Sequence, residues 1–136
     1  MDTRTYAPLL LRLALAAMWL SHALLKILVF TLPGTAAFFE SKGIPGFLAY
    51  PVVVAELAGG LAILAGFYAR QVALLLVPIL AVAFLTHVPN GWVFTATGGG
   101  WEYPLFLIVV SIALWLSGDG DYALRRSRAF TLEAHA

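Results

Sequence analysis

Glu56 is the residue of this sequence that most needs a chemical explanation. It lies in Val54-Ala55-Glu56-Leu57-Ala58-Gly59-Gly60, a segment otherwise apolar enough to lie in a bilayer. An ionisable side chain in such a helix usually faces the protein interior, pairs with another polar group and marks function. A buried carboxylate can hold a cation or exchange protons with a ligand. The partners available to Glu56 therefore decide what this chain can do.

The ionisable side chains that could meet Glu56 also lie within or beside apolar segments, and they are His22, Lys26, His87 and Glu102. His22 and Lys26 are four residues apart, which places them on one side of a helix. Arg12 and Trp19 fall in the same sector of about 80°, so this helix has one polar face that should point inward. We interpret Arg12 as a side chain that snorkels to the inner membrane surface.

Composition determines the environment of these residues. The chain has 136 residues, of which 62% are hydrophobic and 11% are charged, against roughly 25% charged in a typical soluble domain. A chain of this length cannot hide so much apolar surface in its own core, so we predict an integral membrane protein. The net charge of +1 gives no basic excess for binding nucleic acid. The lack of cysteine excludes thiol chemistry and thiolate metal sites.

Four apolar segments are predicted to be helices that cross a bilayer, of which the fourth is short for a span and should gain length at its Trp101 end. We predict an all-α, integral membrane four-helix bundle. It forms a single domain over residues 1–136, and this domain ends in a polar tail. The first segment is interrupted by His22 and Lys26, so we interpret it as a span and not as a cleaved signal peptide. The predicted spans are about 8–30, 48–68, 72–88 and 102–117, with the tail at 118–136.

Basic residues predict the orientation, because cytoplasmic loops are enriched in Lys and Arg. Both termini are therefore predicted to be cytoplasmic. The residues that lie on or can reach that side are Arg4, Arg12, Arg70, Arg125, Arg126 and Arg128, against Lys42 and the embedded Lys26 on the other side.

The first outer loop should contain a short helix at the membrane surface. Thr35 is a plausible N-cap, residues 36–42 could form two turns, and Gly43 suits the position after the last turn. Phe38 and Phe39 would anchor this helix in the interface.

With this orientation, the five ionisable residues meet in the outer half of the bundle. At 1.5 Å per residue, His22 and Lys26 lie roughly 12 Å and 6 Å below the outer end of the first span, and Glu56 lies about 12 Å below that of the second. His87 and Glu102 lie at the outer ends of the third and fourth spans. We predict that Glu56 pairs with Lys26 or His22.

Such a cluster is open to several interpretations. It could be a structural ion-pair network, or a site for a lipid-soluble quinone whose carbonyl oxygen is hydrogen-bonded by His22, Lys26 or Glu56. Haem held by His22 and His87 is disfavoured because their depths differ by about 10 Å. A metal site is not predicted either, because the histidines and glutamates have no compact ligand spacing.

The chain resembles the DoxX family of small four-span membrane proteins over about residues 8–124. The matching segments are Leu-Arg-Leu at 11–13, Ser-His-Ala-Leu-Leu-Lys at 21–26, Phe-Phe-Glu-Ser-Lys-Gly-Ile-Pro at 38–45, Ala-Glu-Leu-Ala-Gly-Gly at 55–60, Gly-Phe-Tyr-Ala-Arg at 66–70, His-Val-Pro-Asn-Gly-Trp at 87–92 and Gly-Gly-Trp-Glu-Tyr-Pro at 99–104.

The resemblance implies an accessory membrane subunit. Some members are associated with terminal quinol oxidase or thiosulfate:quinone oxidoreductase systems, and others with oxidative-stress or thiol-redox complexes. The family's recurring polar positions match Arg12, His22, Lys26, Glu56, Arg70, His87, Asn90 and Glu102.

We therefore predict a redox-associated subunit of the bacterial inner membrane, with a polar pocket that opens to the outer side and takes quinone or lipid. Glu56 and Lys26 form its core pair, and His22 tunes this pair or shuttles a proton. The predicted lid consists of His87, Asn90, Trp101 and Glu102. The alternative is a non-enzymatic scaffold, or a small-molecule- or lipid-binding assembly partner of a larger membrane complex. The expected partners are membrane lipids, proteins of a redox complex and further copies of the same chain.

The orientation can be tested with single cysteines, because the chain has none of its own. In intact cells, an impermeant thiol reagent should label a cysteine at Thr97 and not one at Ser127. Labelling of Ser127→Cys from outside would reverse the predicted orientation.

Overall fold

The computed structural model describes residues 3–131, which form a bundle of α-helices without a β-strand in that range. A 3₁₀ turn at Thr3–Thr5 precedes the first helix, and a π-helical turn at Leu25–Val29 continues it. The α-helices are α1 (Tyr6–Leu24), α2 (Leu32–Ser41), α3 (Ala49–Ala65), α4 (Ala69–His87) and α5 (Glu102–Ser117).

Three continuous helical segments are long and apolar enough to cross a membrane: Thr3–Val29, Gly46–Ala65 and Ala69–Asn90. The helix α5 is apolar but shorter, with 16 residues. The structure therefore confirms the predicted all-helical fold, with three helices of spanning length and a shorter fourth apolar helix, as is consistent with a membrane bundle. The packed core lies between α1, α3, α4 and α5 and includes Leu15, Trp19, Ile63, Leu76, Leu80, Leu107 and Leu114.

Two adjacent glycines set how closely α3 packs against its neighbours. A Cβ added to Gly59 would lie 2.6 Å from Leu76 of α4, and one added to Gly60 would lie 2.9 Å from Leu20 of α1. Small residues allow helices to approach closely in lipid, where packing and not hydrophobicity drives helix association. The close approach of α3 to α1 brings Glu56, one turn before Gly60, up to the polar face of α1.

The helix in the first loop begins earlier than predicted. Its N-cap is Thr31, whose Oγ1 accepts a hydrogen bond from the Gly34 amide at 3.2 Å. The prediction that Thr35 caps this helix is wrong. Pro33 fits the first turn of a helix, where no N–H donor is needed, and α2 therefore begins at Leu32, before Thr35. Thr35 is instead buried inside α2 and donates its hydroxyl to the carbonyl of Thr31 at 2.8 Å.

Arg12 lies at the end of the bundle that carries residues 3–12, 63–70 and 117–131, here called the terminal end. The prediction that it snorkels to the membrane surface is wrong, because its side chain is only 2% exposed. Its guanidinium donates from Nε to the carbonyl of Ile63 at 3.0 Å and from Nη2 to that of Leu64 at 2.8 Å. Nη1 donates to the carbonyl of Asp119 at 3.2 Å. The last carbonyls of a helix lack partners within the helix, and a cation stabilises them.

Asp119 holds the chain after α5 against the turn between α3 and α4. Its carboxylate accepts hydrogen bonds from the backbone amides of Arg70 at 2.8 Å and Ser127 at 2.6 Å. Tyr68 also donates its amide to the Arg125 carbonyl at 2.9 Å. The first part of the predicted polar tail is therefore packed onto the bundle.

Replacing Arg12 with methionine should lower the free energy of unfolding by about 3 kcal/mol, because three carbonyls lose a charged donor. The matched control is Arg128→Met, since Arg128 is exposed and should tolerate the change. The measurement is denaturant unfolding of the detergent-purified protein. Equal stabilities of the two variants would show that the Arg12 contacts contribute nothing.

Candidate functional site

Lys26 and Glu56 form a two-pronged ion pair between the end of α1 and the middle of α3. Lys26 Nζ donates to Glu56 Oε1 at 2.7 Å and to Oε2 at 2.8 Å. The Glu56 side chain is 3% exposed and that of Lys26 is 20% exposed. The structure therefore contains the pairing predicted from depth. Such a pair tolerates burial because both carboxylate oxygens have a charged donor.

The π-helical turn at Leu25–Val29 contributes Lys26 to this pair. Within it, the Phe30 amide donates to the Leu25 carbonyl, five residues earlier, at 2.9 Å. A π-turn inserts an extra residue into the helical register and is often found at functional sites. The side chains after it are therefore rotated from where the α-helical period of α1 would place them.

A cavity of about 930 Å³ lies beside this ion pair, between α1, α3, α4, α5 and the loop that follows α4. Most of its wall is apolar, including Leu80, Ala83 and Leu107. All five ionisable residues singled out in the sequence line it: His22, Lys26, Glu56, His87 and Glu102. The structure thus brings together in one cavity groups contributed by four helices.

The two histidines in the cavity are held in the same way. His22 Nδ1 lies 2.8 Å from the Met18 carbonyl, and His87 Nδ1 lies 2.6 Å from the Ala83 carbonyl, four residues earlier in each case. Each imidazole is thereby fixed against its own helix. The His22 ring also lies next to the Tyr103 ring, with 6.2 Å between their centroids.

The loop between α4 and α5 covers one end of the cavity and is held by hydrogen bonds. Asn90 Nδ2 donates to the carbonyls of Gly98 at 3.1 Å and Gly99 at 2.8 Å. Glu102 Oε1 accepts from the Phe94 amide at 2.8 Å. Asn90 therefore fixes the shape of this loop, while the side chains of His87 and Glu102 also line the cavity.

Trp101 supports this loop through ring packing and is not part of the cavity wall. Its ring packs edge to face on Trp92, with 4.4 Å between centroids, and on Phe84 of α4, with 5.6 Å. Aromatic pairs with this geometry stabilise structure beyond the area they bury. These aromatic rings therefore attach the loop between α4 and α5 to α4.

Arg12 is the one predicted supporting residue that lies far from this cluster, since it binds the last turn of α3 at the terminal end. Conversely, Trp19 lines the cavity although it was not singled out as a site residue. It is 1% exposed, and its Nε1–H has no hydrogen-bond partner in the part of the chain that the structure describes. Its place on the polar face of the first span was the signal that could have identified it.

The polar side chains on the cavity wall can donate and accept hydrogen bonds. Within residues 3–131, no three His, Asp or Glu side chains are grouped closely enough to hold a metal ion. The polar groups instead surround an apolar space, an arrangement typical of sites for small molecules with a few polar atoms.

Comparison with known proteins supplies a family. The DoxX family model matches residues 7–89. The chain is 34% identical over 116 residues to "Putative oxidoreductase CatD" of Bacillus subtilis (strain 168), covering 85% of this chain and 82% of that protein. It is 46% identical over 55 residues to "Inner membrane protein YqjF" of Escherichia coli (strain K12), covering 40% of this chain and 42% of that protein. No solved structure matches.

The ion pair predicts a non-additive response to mutation. Lys26→Met should lower the free energy of unfolding by about 3–5 kcal/mol, because it leaves the Glu56 charge buried without a partner. The double variant Lys26→Met/Glu56→Leu should recover most of that loss, since no charge remains buried. Denaturant unfolding in detergent measures both.

The exposed pair of Arg126 and Asp121, at 2.6 Å, is the matched control, and Asp121→Asn should change stability little. A double variant no more stable than Lys26→Met would contradict the pairing energetics.

Proposed function

The chain belongs to the DoxX family, and from that premise we propose that it is a redox-associated membrane subunit whose cavity binds a quinone. It is a multi-pass protein of the bacterial inner membrane. A relative that matches most of its length is named as an oxidoreductase, which links it to redox chemistry. The finer assignment of quinone as ligand rests on the cavity.

The observation that carries the proposal is a largely apolar cavity with charged and imidazole groups on its wall. Its volume of about 930 Å³ falls within the range of roughly 300–1,000 Å³ that holds small ligands. A quinone has this combination of properties, with an apolar ring and tail and two polar oxygens. The apolar lining supplies affinity, and the few polar groups select and orient the ring.

The position of the cavity favours a ligand that arrives through the lipid. Two of its lining residues on α5, Phe106 and Val109, are 62% and 55% exposed. In a membrane bundle, exposed apolar residues at this position face acyl chains. A quinone dissolved in the bilayer can therefore reach the polar groups without crossing water.

Each polar group receives a role in this proposal. The Lys26–Glu56 pair provides a fixed dipole beside the ring, and the third N–H of the Lys26 ammonium donates a hydrogen bond to a ligand oxygen. His22 takes up or releases the proton that accompanies a change in the ligand's redox state. Glu102 and His87 close the cavity beneath the loop.

A protein partner completes the proposed function. The chain has no cysteine, so any thiol chemistry must come from another protein. We propose that the subunit delivers or receives quinone for a redox complex, with both termini cytoplasmic and α2 at the outer surface. A second copy of the chain could occupy the same complex.

A mass-spectrometric inventory of the organic extract from purified protein tests this proposal. The native protein should carry quinone, and Ala83→Phe, which fills the cavity from α4, should lower its content about tenfold or more. Val82→Phe adds a similar ring on the neighbouring residue, which is 46% exposed and does not line the cavity. It should therefore keep its quinone.

Glu56→Gln should also lose quinone, and thermal unfolding would show that the variant is folded. The matched control is Glu40→Gln, the same chemical change on an exposed residue of α2. A native protein that yields only phospholipid, and does not bind added quinone, would overturn the proposal and favour a scaffold or lipid-binding role.

A further inference from the structure

The two histidines of the cavity share one hydrogen-bonding feature. In both, Nδ1 lies within hydrogen-bond distance of a backbone carbonyl of the same helix. A carbonyl oxygen can only accept, so each Nδ1 must carry the proton and donate it. For His87 the neighbouring Thr86 hydroxyl, at 3.2 Å, agrees with this assignment, because its own proton goes to the Ala83 carbonyl at 2.8 Å.

A neutral imidazole carries a single proton, so Nε2 is then an acceptor in both rings. Because Nδ1 faces the backbone of its own helix, Nε2 lies on the opposite edge of the ring. Neither Nε2 has a hydrogen-bond partner across the described residues. The cavity therefore offers a ligand two imidazole acceptors.

The cavity wall also carries donors. The Lys26 ammonium directs two of its three N–H groups to the two oxygens of Glu56, which leaves the third for a ligand. The Tyr103 hydroxyl lines the cavity as well, whereas the Trp19 Nε1–H is buried out of reach of solvent and of a ligand in the cavity. Glu102 adds to the acceptors, because a carboxylate has two oxygens and the Phe94 amide occupies Oε1.

A quinone carbonyl can accept from Lys26 or Tyr103, but it cannot donate to either imidazole. A quinol hydroxyl does both, because its hydrogen is donated while its oxygen accepts. Resting on the function proposed above, we infer that the cavity selects the reduced, dihydroxy form of the ligand, with His22 and His87 accepting from its hydroxyl groups. Acceptors that a bound ligand covers and leaves unpaired discriminate against a ligand that lacks the matching donor.

Binding of three ring-matched probes to the full-length protein in detergent tests this inference. The probes are decylubiquinol, decylubiquinone and the di-O-methyl ether of decylubiquinol, which keeps the ring but has no hydroxyl hydrogens. Calorimetric titration is carried out without oxygen and under mildly alkaline conditions, where imidazole is neutral. The quinol should bind at least about tenfold more tightly than the quinone or the diether.

Two substitutions at His22 separate the acceptor from the bulk of the ring. His22→Gln places an amide oxygen near the position of Nε2 and should keep the preference for quinol. His22→Asn places its amide near the position of Nδ1 and should reduce the preference severalfold. Thermal unfolding verifies that each variant is folded, and the three-probe comparison on the native protein stands without them.

The outcomes are distinct. Equal or tighter binding of decylubiquinone overturns the inference and leaves quinone binding intact. Tight binding of the diether likewise overturns it, because the site would then recognise only the ring. Failure to bind any of the three probes overturns the proposed function together with the inference.

Discussion

The structure depends on two cations, Arg12 of α1 and Lys26 of the π-helical turn that continues α1, which are both bound by α3. At one end the Lys26 ammonium holds both oxygens of Glu56, and at the terminal end the Arg12 guanidinium holds the last carbonyls of α3. Between these points, Gly60 brings the two helix backbones close together. A charged side chain in an apolar medium is stable only where it meets a polar partner. The two contacts therefore fix the register of α1 against α3. The cavity takes its shape from that register.

Much of this arrangement could be predicted because lipid simplifies the rules. Apolar runs must be helices in a bilayer, and an embedded acid must find a partner at a similar depth. Those two constraints were enough to predict the helical bundle, the pairing of Glu56 with Lys26, and the convergence of His22, His87 and Glu102. These predictions use only the local sequence and the rise per residue of a helix, so they do not require knowledge of how the helices pack.

The features that could not be predicted depend on contacts between distant segments. Arg12 was expected at the surface because nothing in the sequence reveals that Ile63, Leu64 and Asp119 would present carbonyls to it. The start of α2 after Thr31 is not evident from the sequence, because Pro33 and Gly34 are residue types that are also common in loops. The π-turn around Lys26 and the unpaired indole of Trp19 are likewise visible only in three dimensions.

The shortness of α5 has a consequence for the surrounding membrane. Its 16 residues extend about 24 Å, less than the roughly 30 Å of a typical hydrocarbon layer. A bilayer beside a short helix becomes thinner, or the neighbouring helices tilt to compensate. The cavity meets the lipid along this same helix, at Phe106 and Val109. Where the bilayer thins beside α5, the head groups come closer to the cavity opening, and a molecule leaving the cavity has a shorter path to the polar surface.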